Sequence, residues 1–290
     1  SKEAFQLGKR VYSSLMFDTT KQKALDIMKQ IDPSLEIKDI SQLKSEVHNY
    51  TDYGAYLRSD LKPDFTCQNA GLFINLAPLQ KGDKQGALKF AMELAHEYTH
   101  ARQNANGDSS RYIKIASHED FEYAEFLSAF GTTVFQPFDG ELQARFVSCI
   151  IEAKDIPVMQ RYNMINPRKT PVSKSRMLKH QNMKSEDEFR QLMNSLIKQK
   201  FKDVVDFISK NKNSIDPRMR DYIERSGITK EENLDKLFKD TRKYCKYLAV
   251  KEAEAYKTEA EVAKNILNLK GDITNDIFPL YYKMLSDAFN

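Results

Sequence analysis

Apolar residues recur at intervals of three and four along most of this chain, which is the spacing of one helix face. Two segments before residue 80 differ from that pattern. "LEIKDI", residues 35–40, alternates apolar and polar positions as a half-buried strand does, and "GLFINLAP", residues 71–78, is a short apolar run bounded by glycine and proline. The pattern therefore predicts an α+β protein that is mostly α, with a small sheet in its amino-terminal part.

One helix is predicted from residue 86 to residue 105, and its first half carries very few charges. Between Gly86 and Ala95 only Lys89 and Glu93 are charged. A helix that is apolar on most of its faces is covered by other parts of the protein. This segment is therefore predicted to be a buried helix.

The chain downstream is predicted to be helical on both sides of one basic segment. Helices are indicated at 117–130, where Gly131 is expected to stop the helix, and at 140–153. Residues 166–180 contain two prolines and six basic residues, His180 included, and predict an exposed connection. The predicted organisation is a first domain over 1–165, a basic linker or loop over 166–180 and a helical domain over 181–290.

The composition excludes several classes of protein. Of the 290 residues, 41% are hydrophobic and 30% are charged, which is typical of an ordinary globular protein. No segment has the roughly 18 consecutive apolar residues of a membrane span. The formal net charge of +4 is too small over this length to indicate a nucleic-acid partner. We therefore expect no nucleic acid and no membrane as partner, and the composition leaves the oligomeric state open.

The cysteines and the amino-terminal residues bear on localisation. Cys67, Cys149 and Cys245 are odd in number, widely spaced and form no CxxC pair, which argues for reduced thiols in a cytosol-like environment. The first 17 residues include basic residues but no continuous apolar stretch. A conventional secretory signal is therefore not expected there.

The candidate chemistry lies in "LAHEYTHARQ", residues 94–103, where His96 and His100 are four positions apart and Glu97 follows the first histidine. In an α-helix, two such positions are separated by about 40° of rotation and about 6 Å of rise, so both imidazoles project from one face. A catalytic zinc ion takes three protein ligands, among them imidazole nitrogens, and leaves a fourth place for water. The spacing therefore predicts His96 and His100 as metal ligands and Glu97 as the base that accepts a proton from that water.

"HEYTH" on a helix that follows an apolar strand resembles the zincin metallopeptidases. No third histidine follows in "ARQNAN", so the chain differs from the metzincin branch. The resemblance covers about residues 70–155 and implies a gluzincin-like zinc site, in which a downstream glutamate is the third ligand. It also implies a zincin-like catalytic part, with a small sheet and the HExxH helix, followed by a helical carboxyl-terminal region.

Three glutamates are candidates for this third ligand. Glu141 ranks first, because it opens a predicted helix 41 positions after His100 and begins an E-x-x-A pattern. Glu152 lies on the same predicted helix. Glu252 in "KEAEAY" has a suitable local pattern but requires the basic linker and more to be an insertion. The predicted ligands are therefore His96, His100 and Glu141, with Glu152 and Glu252 as alternatives.

The resemblance implies a zinc-dependent endopeptidase in which Glu97 activates the water and then returns the proton to the leaving amine. The motif, its position and the helical character are also similar to the actin-cleaving effector metalloproteases that bacterial pathogens deliver into host cells. That similarity implies a host cytosolic protein such as actin as the substrate, and secretion without a conventional signal peptide. The alternative is a non-enzymatic helical binding protein in which His96 and His100 hold a structural metal.

Overall fold

A computed structural model of the chain shows where many of the predicted elements fall. It describes residues 2–15, 26, 29–30, 37–39, 54–57, 71–74, 84–105, 121–135 and 186–268.

α-Helices make up most of the described part. They are α1 (Lys2–Leu15), α2 (Lys84–Ala105), α3 (Phe121–Phe135), α4 (Glu186–Lys210), α5 (Pro217–Ser226) and α6 (Leu234–Leu267), with a single turn of 3₁₀-helix at Glu231–Asn233 before α6. α2 agrees with the helix predicted over 86–105, and α4 to α6 agree with the predicted helical region after residue 185. α1 has no counterpart among the predicted elements.

Three short strands lie between α1 and α2 in the chain: β1 (Ile37–Asp39), β2 (Gly54–Leu57) and β3 (Gly71–Ile74). β3 is the central strand, with β1 parallel to it on one side and β2 antiparallel to it on the other. Ile37 is opposite Leu72, and Gly54 is opposite Ile74. β2 and β3 run beside α2.

The predicted fold class, α+β and mostly α with a small sheet in a zincin-like catalytic part, is wrong in giving a sheet a place in the architecture, because the described part is built almost entirely of helices. The strands have only three or four residues each and do not amount to a sheet layer of the fold. The physical reason lies in how α2 is covered. It packs most extensively against α1 and α6, so other helices, rather than a sheet, bury most of its apolar surface.

α2 is buried on nearly every face, as the sequence predicts. From residue 86 to residue 103, only Lys89, His100 and Arg102 have partly exposed side chains. α1 comes close on one side, because a Cβ at Gly8 would lie 3.1 Å from the carbonyl oxygen of Ala91. α2 is therefore held as the central helix of the described part.

The hydrophobic core lies where α2, α3 and α6 pack together. Met92 from α2, Phe126 and Phe130 from α3 and Leu237 from α6 are completely buried members of one continuous cluster. Burying each such side chain contributes about 1.5–3 kcal/mol. This packing fixes α6, from the carboxyl-terminal part of the chain, against the helix of the HEYTH motif.

The prediction that Gly131 stops a helix is wrong, because α3 continues through it to Phe135. Gly131 instead allows α6 to approach α3. A Cβ at Gly131 would overlap Tyr244 Cδ1 and would lie 2.7 Å from Tyr244 Cε1. The glycine is needed here for its lack of a side chain.

The predicted domain division stays a prediction, because residues 136–185 lie outside the described residues. α6, from the predicted carboxyl-terminal domain, packs against α1, α2 and α3 of the predicted amino-terminal domain. Among the described helices, none combines the length and the apolar character needed to cross a membrane.

Candidate metal centre

His96 and His100 project from one face of α2, as their spacing predicts. Their ring centroids are 5.0 Å apart, with the ring planes at 77°. His96 is buried, with 3% of its surface exposed, and His100 is partly exposed. The helix thus presents two imidazoles side by side at the edge of the core.

Glu252 on α6 completes a group of three possible ligands. Its Oε2 lies 3.3 Å from His96 Nε2, and its Oε1 lies 3.1 Å from His100 Nε2. One ligand atom from each of the three residues lies within 4.8 Å of the others. His96, His100 and Glu252 therefore form a group that could bind a metal ion.

The face of α6 that meets α2 is defined by helical spacing. Glu252, Tyr256 and Glu259 are four and then three residues apart, so they lie on one side of the helix. The Tyr256 ring packs edge-on against His96, with 4.6 Å between ring centroids. This face of α6 therefore places the Glu252 carboxylate beside both histidines, and Tyr256 and Glu259 beside His96.

Each histidine uses its second ring nitrogen for a hydrogen bond. His96 Nδ1 lies 3.0 Å from Oε2 of Glu259, whose side chain is completely buried, and His100 Nδ1 lies 2.9 Å from Gln103 Oε1. Both Nε2 atoms therefore face Glu252. Metal-binding histidines commonly have this arrangement, with one nitrogen for the metal and the other held by a hydrogen-bond acceptor.

The charges at the site favour an ionised Glu252. Burial raises the pKa of its carboxyl, but the positive charges and hydrogen bonds of His100 and His96 outweigh burial and hold this pKa well below its usual range. A carboxylate oxygen is accordingly available as a ligand.

Glu97 lies beside the group, on the flank of α2. Its Oε1 is 4.0 Å from His96 Nε2, and 5% of the residue is exposed. The side chains of His100 and Glu252 are 14% and 27% exposed, whereas that of His96 is 4% exposed. The site therefore opens to solvent on the side of His100 and Glu252, with Glu97 deeper in the protein.

The three predicted candidates for the third ligand have different outcomes. Glu141 and Glu152 lie outside the described residues, and their roles stay predictions. Glu252, ranked behind Glu141, is the carboxylate that the structure brings to both histidines.

Glu259 and Gln103 were not predicted from the sequence as residues of this site. Glu259 shares a helix face with Glu252, and Gln103 lies one turn after His100. Helical spacing alone therefore places each of them near a ligand on its own helix.

The donor set fits a metal ion. Zinc in proteins is bound by imidazole nitrogens and carboxylate oxygens, and this group offers two of the former and one of the latter. No protein-family model, curated protein or solved structure matches the chain. The reasons to regard this group as a possible metal site are therefore its geometry and the HEYTH motif.

Proposed function

We propose that this protein is a zinc-dependent endopeptidase whose metal ligands are His96, His100 and Glu252. The observation that carries the proposal is the position of Glu252, with one carboxylate oxygen within 3.3 Å of each histidine Nε2. Three protein ligands that leave a coordination position for water are typical of catalytic zinc, whereas structural zinc usually has four. Glu252 thus takes the role first predicted for Glu141.

Bound at this group, zinc would polarise the carbonyl of a peptide bond and lower the pKa of water. Glu97 is the general base, because its carboxylate lies on the flank of the ligand helix and is 4.0 Å from His96 Nε2. It accepts a proton from the attacking water and then donates that proton to the leaving amine. The low exposure of Glu97 keeps bulk water away from this transfer.

The proposed substrate is a protein, which reaches the site from the exposed side of His100 and Glu252. The similarity to actin-cleaving bacterial effectors suggests a host cytosolic protein, and actin is the first substrate to test. The same similarity suggests that the protein acts in a cytosol-like environment after export without a conventional signal peptide.

The test compares the zinc-loaded wild-type protein with two variants on purified actin and on a whole-cell lysate. New protein ends, mapped by mass spectrometry, should appear with the wild type and with Glu261→Gln, a carboxylate on α6 outside the metal group. They should be absent or strongly reduced with Glu97→Gln.

One result would reject actin as the substrate, and another would reject the peptidase activity. Cleavage of lysate proteins without cleavage of actin would retain the endopeptidase and reject actin. Zinc binding without any new protein ends would favour the alternative, a binding protein with a structural metal.

A further inference from the structure

Gln103 is a buried polar residue whose amide oxygen and amide nitrogen both make hydrogen bonds. It lies on α2, one turn after His100, and 5% of it is exposed. Its Oε1 lies 2.9 Å from His100 Nδ1. Its Nε2 donates to the carbonyl oxygen of Lys251 at 3.2 Å and to Glu254 Oε2 at 3.1 Å.

These contacts determine which way the Gln103 amide faces. The Lys251 carbonyl and the Glu254 carboxylate are both acceptors, so the NH₂ group of Gln103 must point at them. The amide oxygen must then point at His100, and an oxygen can only accept there. His100 Nδ1 therefore carries a proton, so Nε2, which faces Glu252, is the nitrogen that can supply a lone pair to a metal ion.

We infer that Gln103 is a positioning residue for the metal site: it holds His100 in the Nδ1-protonated tautomer and ties it to the turn of α6 that carries Glu252. This inference rests on the proposed zinc site. Lys251 directly precedes Glu252, and Glu254 follows it by two residues. One amide therefore sets both the orientation of one ligand and its distance from another.

The two histidines are held by partners of different charge. At Nδ1, His96 has the buried carboxylate of Glu259 as its partner, whereas His100 has the neutral amide of Gln103. His100 is also the more exposed of the two, with 14% of its side chain exposed against 4% for His96. The orientation of the His100 ring consequently depends on the hydrogen bonds by which Gln103 donates to Lys251 and Glu254.

The first experiment needs only the wild-type protein. Nitrogen-15 NMR of the zinc-loaded protein should show the ring proton of His100 on Nδ1, with slow exchange against solvent. A proton on Nε2 would overturn the inference without any variant having to fold.

The second experiment measures the zinc Kd by competition with a chelator. Gln103→Met has a similar size but no hydrogen bonds, and it should weaken zinc binding about 10–100-fold, the range for outer partners of metal ligands. Gln103→Glu keeps an acceptor for His100 but cannot donate to Lys251 or Glu254, so it should also bind zinc more weakly than the wild type. Gln199→Met is the matched control, since Gln199 is exposed on α4 and bonds Asp203, and it should leave the Kd unchanged.

The outcomes separate the two proposals. Absence of zinc binding by the wild type would reject the proposed function together with the inference. Equal Kd values for the wild type and a folded Gln103→Met protein would reject the role of Gln103 and leave the zinc site intact. A Gln103→Glu protein that binds zinc as tightly as the wild type would overturn the role of the hydrogen bonds from Gln103 to α6.

Discussion

Replacing Gly131 by alanine tests how α6, and with it Glu252, is seated against the rest of the protein. The added methyl group would meet the Tyr244 ring, with a Cβ to Cε1 distance of 2.7 Å and a Cβ to Cγ distance of 3.1 Å. Tyr244 is buried and its hydroxyl is 3.2 Å from Ser128 Oγ. The ring cannot keep its position, so either the ring turns or α6 moves away from α3.

The expected cost follows from three contributions. Overpacking of a dense core costs about 1–3 kcal/mol. Loss of the hydrogen bond between Ser128 and Tyr244 adds about 0.5–1.5 kcal/mol. Alanine within a helix offsets roughly 1 kcal/mol of this, because it is a better helix former than glycine. We therefore expect Gly131→Ala to lower the free energy of unfolding by about 1–3 kcal/mol, or the Tm by on the order of 2–10 °C.

The assay is thermal or urea unfolding of the metal-free protein, read by circular dichroism. The double-mutant control is Tyr244→Leu, which removes the ring. In that background Gly131→Ala should be neutral or stabilising, so the coupling energy should be about 1 kcal/mol or more. If Gly131→Ala raises the stability of the otherwise wild-type protein, the close approach of α3 and α6 at this residue is refuted.

Three further predictions concern the metal site and the thiol of α6. Glu252→Gln should lose zinc to a chelator that does not strip the wild type or Glu261→Gln, because two imidazoles rarely retain zinc alone; equal retention would reject Glu252 as a ligand. Glu97→Gln should retain zinc while turnover falls about 10²–10⁴-fold, since the amide cannot accept the proton, and full turnover would exclude Glu97 as the base. Burial raises the pKa of the Cys245 thiol, so a thiol reagent at pH 8 should label Cys245 only after unfolding. Because only the unfolded state releases that proton above about pH 8.5, the contribution of Cys245 to stability should fall as pH rises further, and its replacement by serine should remove this part of the pH dependence.

The part of the site that lies on one helix could be predicted from the sequence, whereas the part that joins two helices could not. His96, Glu97 and His100 are neighbours along α2, and helix geometry alone places them together. Helical spacing also puts Glu252 and Glu259 on one face of α6, but it does not tell which helix that face packs against. Glu141 ranked above Glu252 because it is closer along the chain, and distance along the chain does not measure distance in space.

The errors in the fold have a similar origin. Gly131 has the residue type that ends many helices, and the same lack of a side chain also permits close packing between helices. Only the presence of Tyr244 on the opposing helix distinguishes the two roles. The short apolar runs before residue 80 indicate extended segments, but their pattern does not show how much of the protein a sheet makes up.

The contact between α2 and α6 has a consequence for the order of events during folding. His96 and its partner Glu259 are 163 residues apart in the chain, so their encounter closes a very long loop. Contacts of such sequence separation form slowly, after local helices. During synthesis, a nascent chain that has exposed only the HEYTH helix still lacks Glu252, Glu259 and the Gln103 contacts with α6. The group of His96, His100 and Glu252 is therefore complete only after α6, the last described helix, has docked against α2.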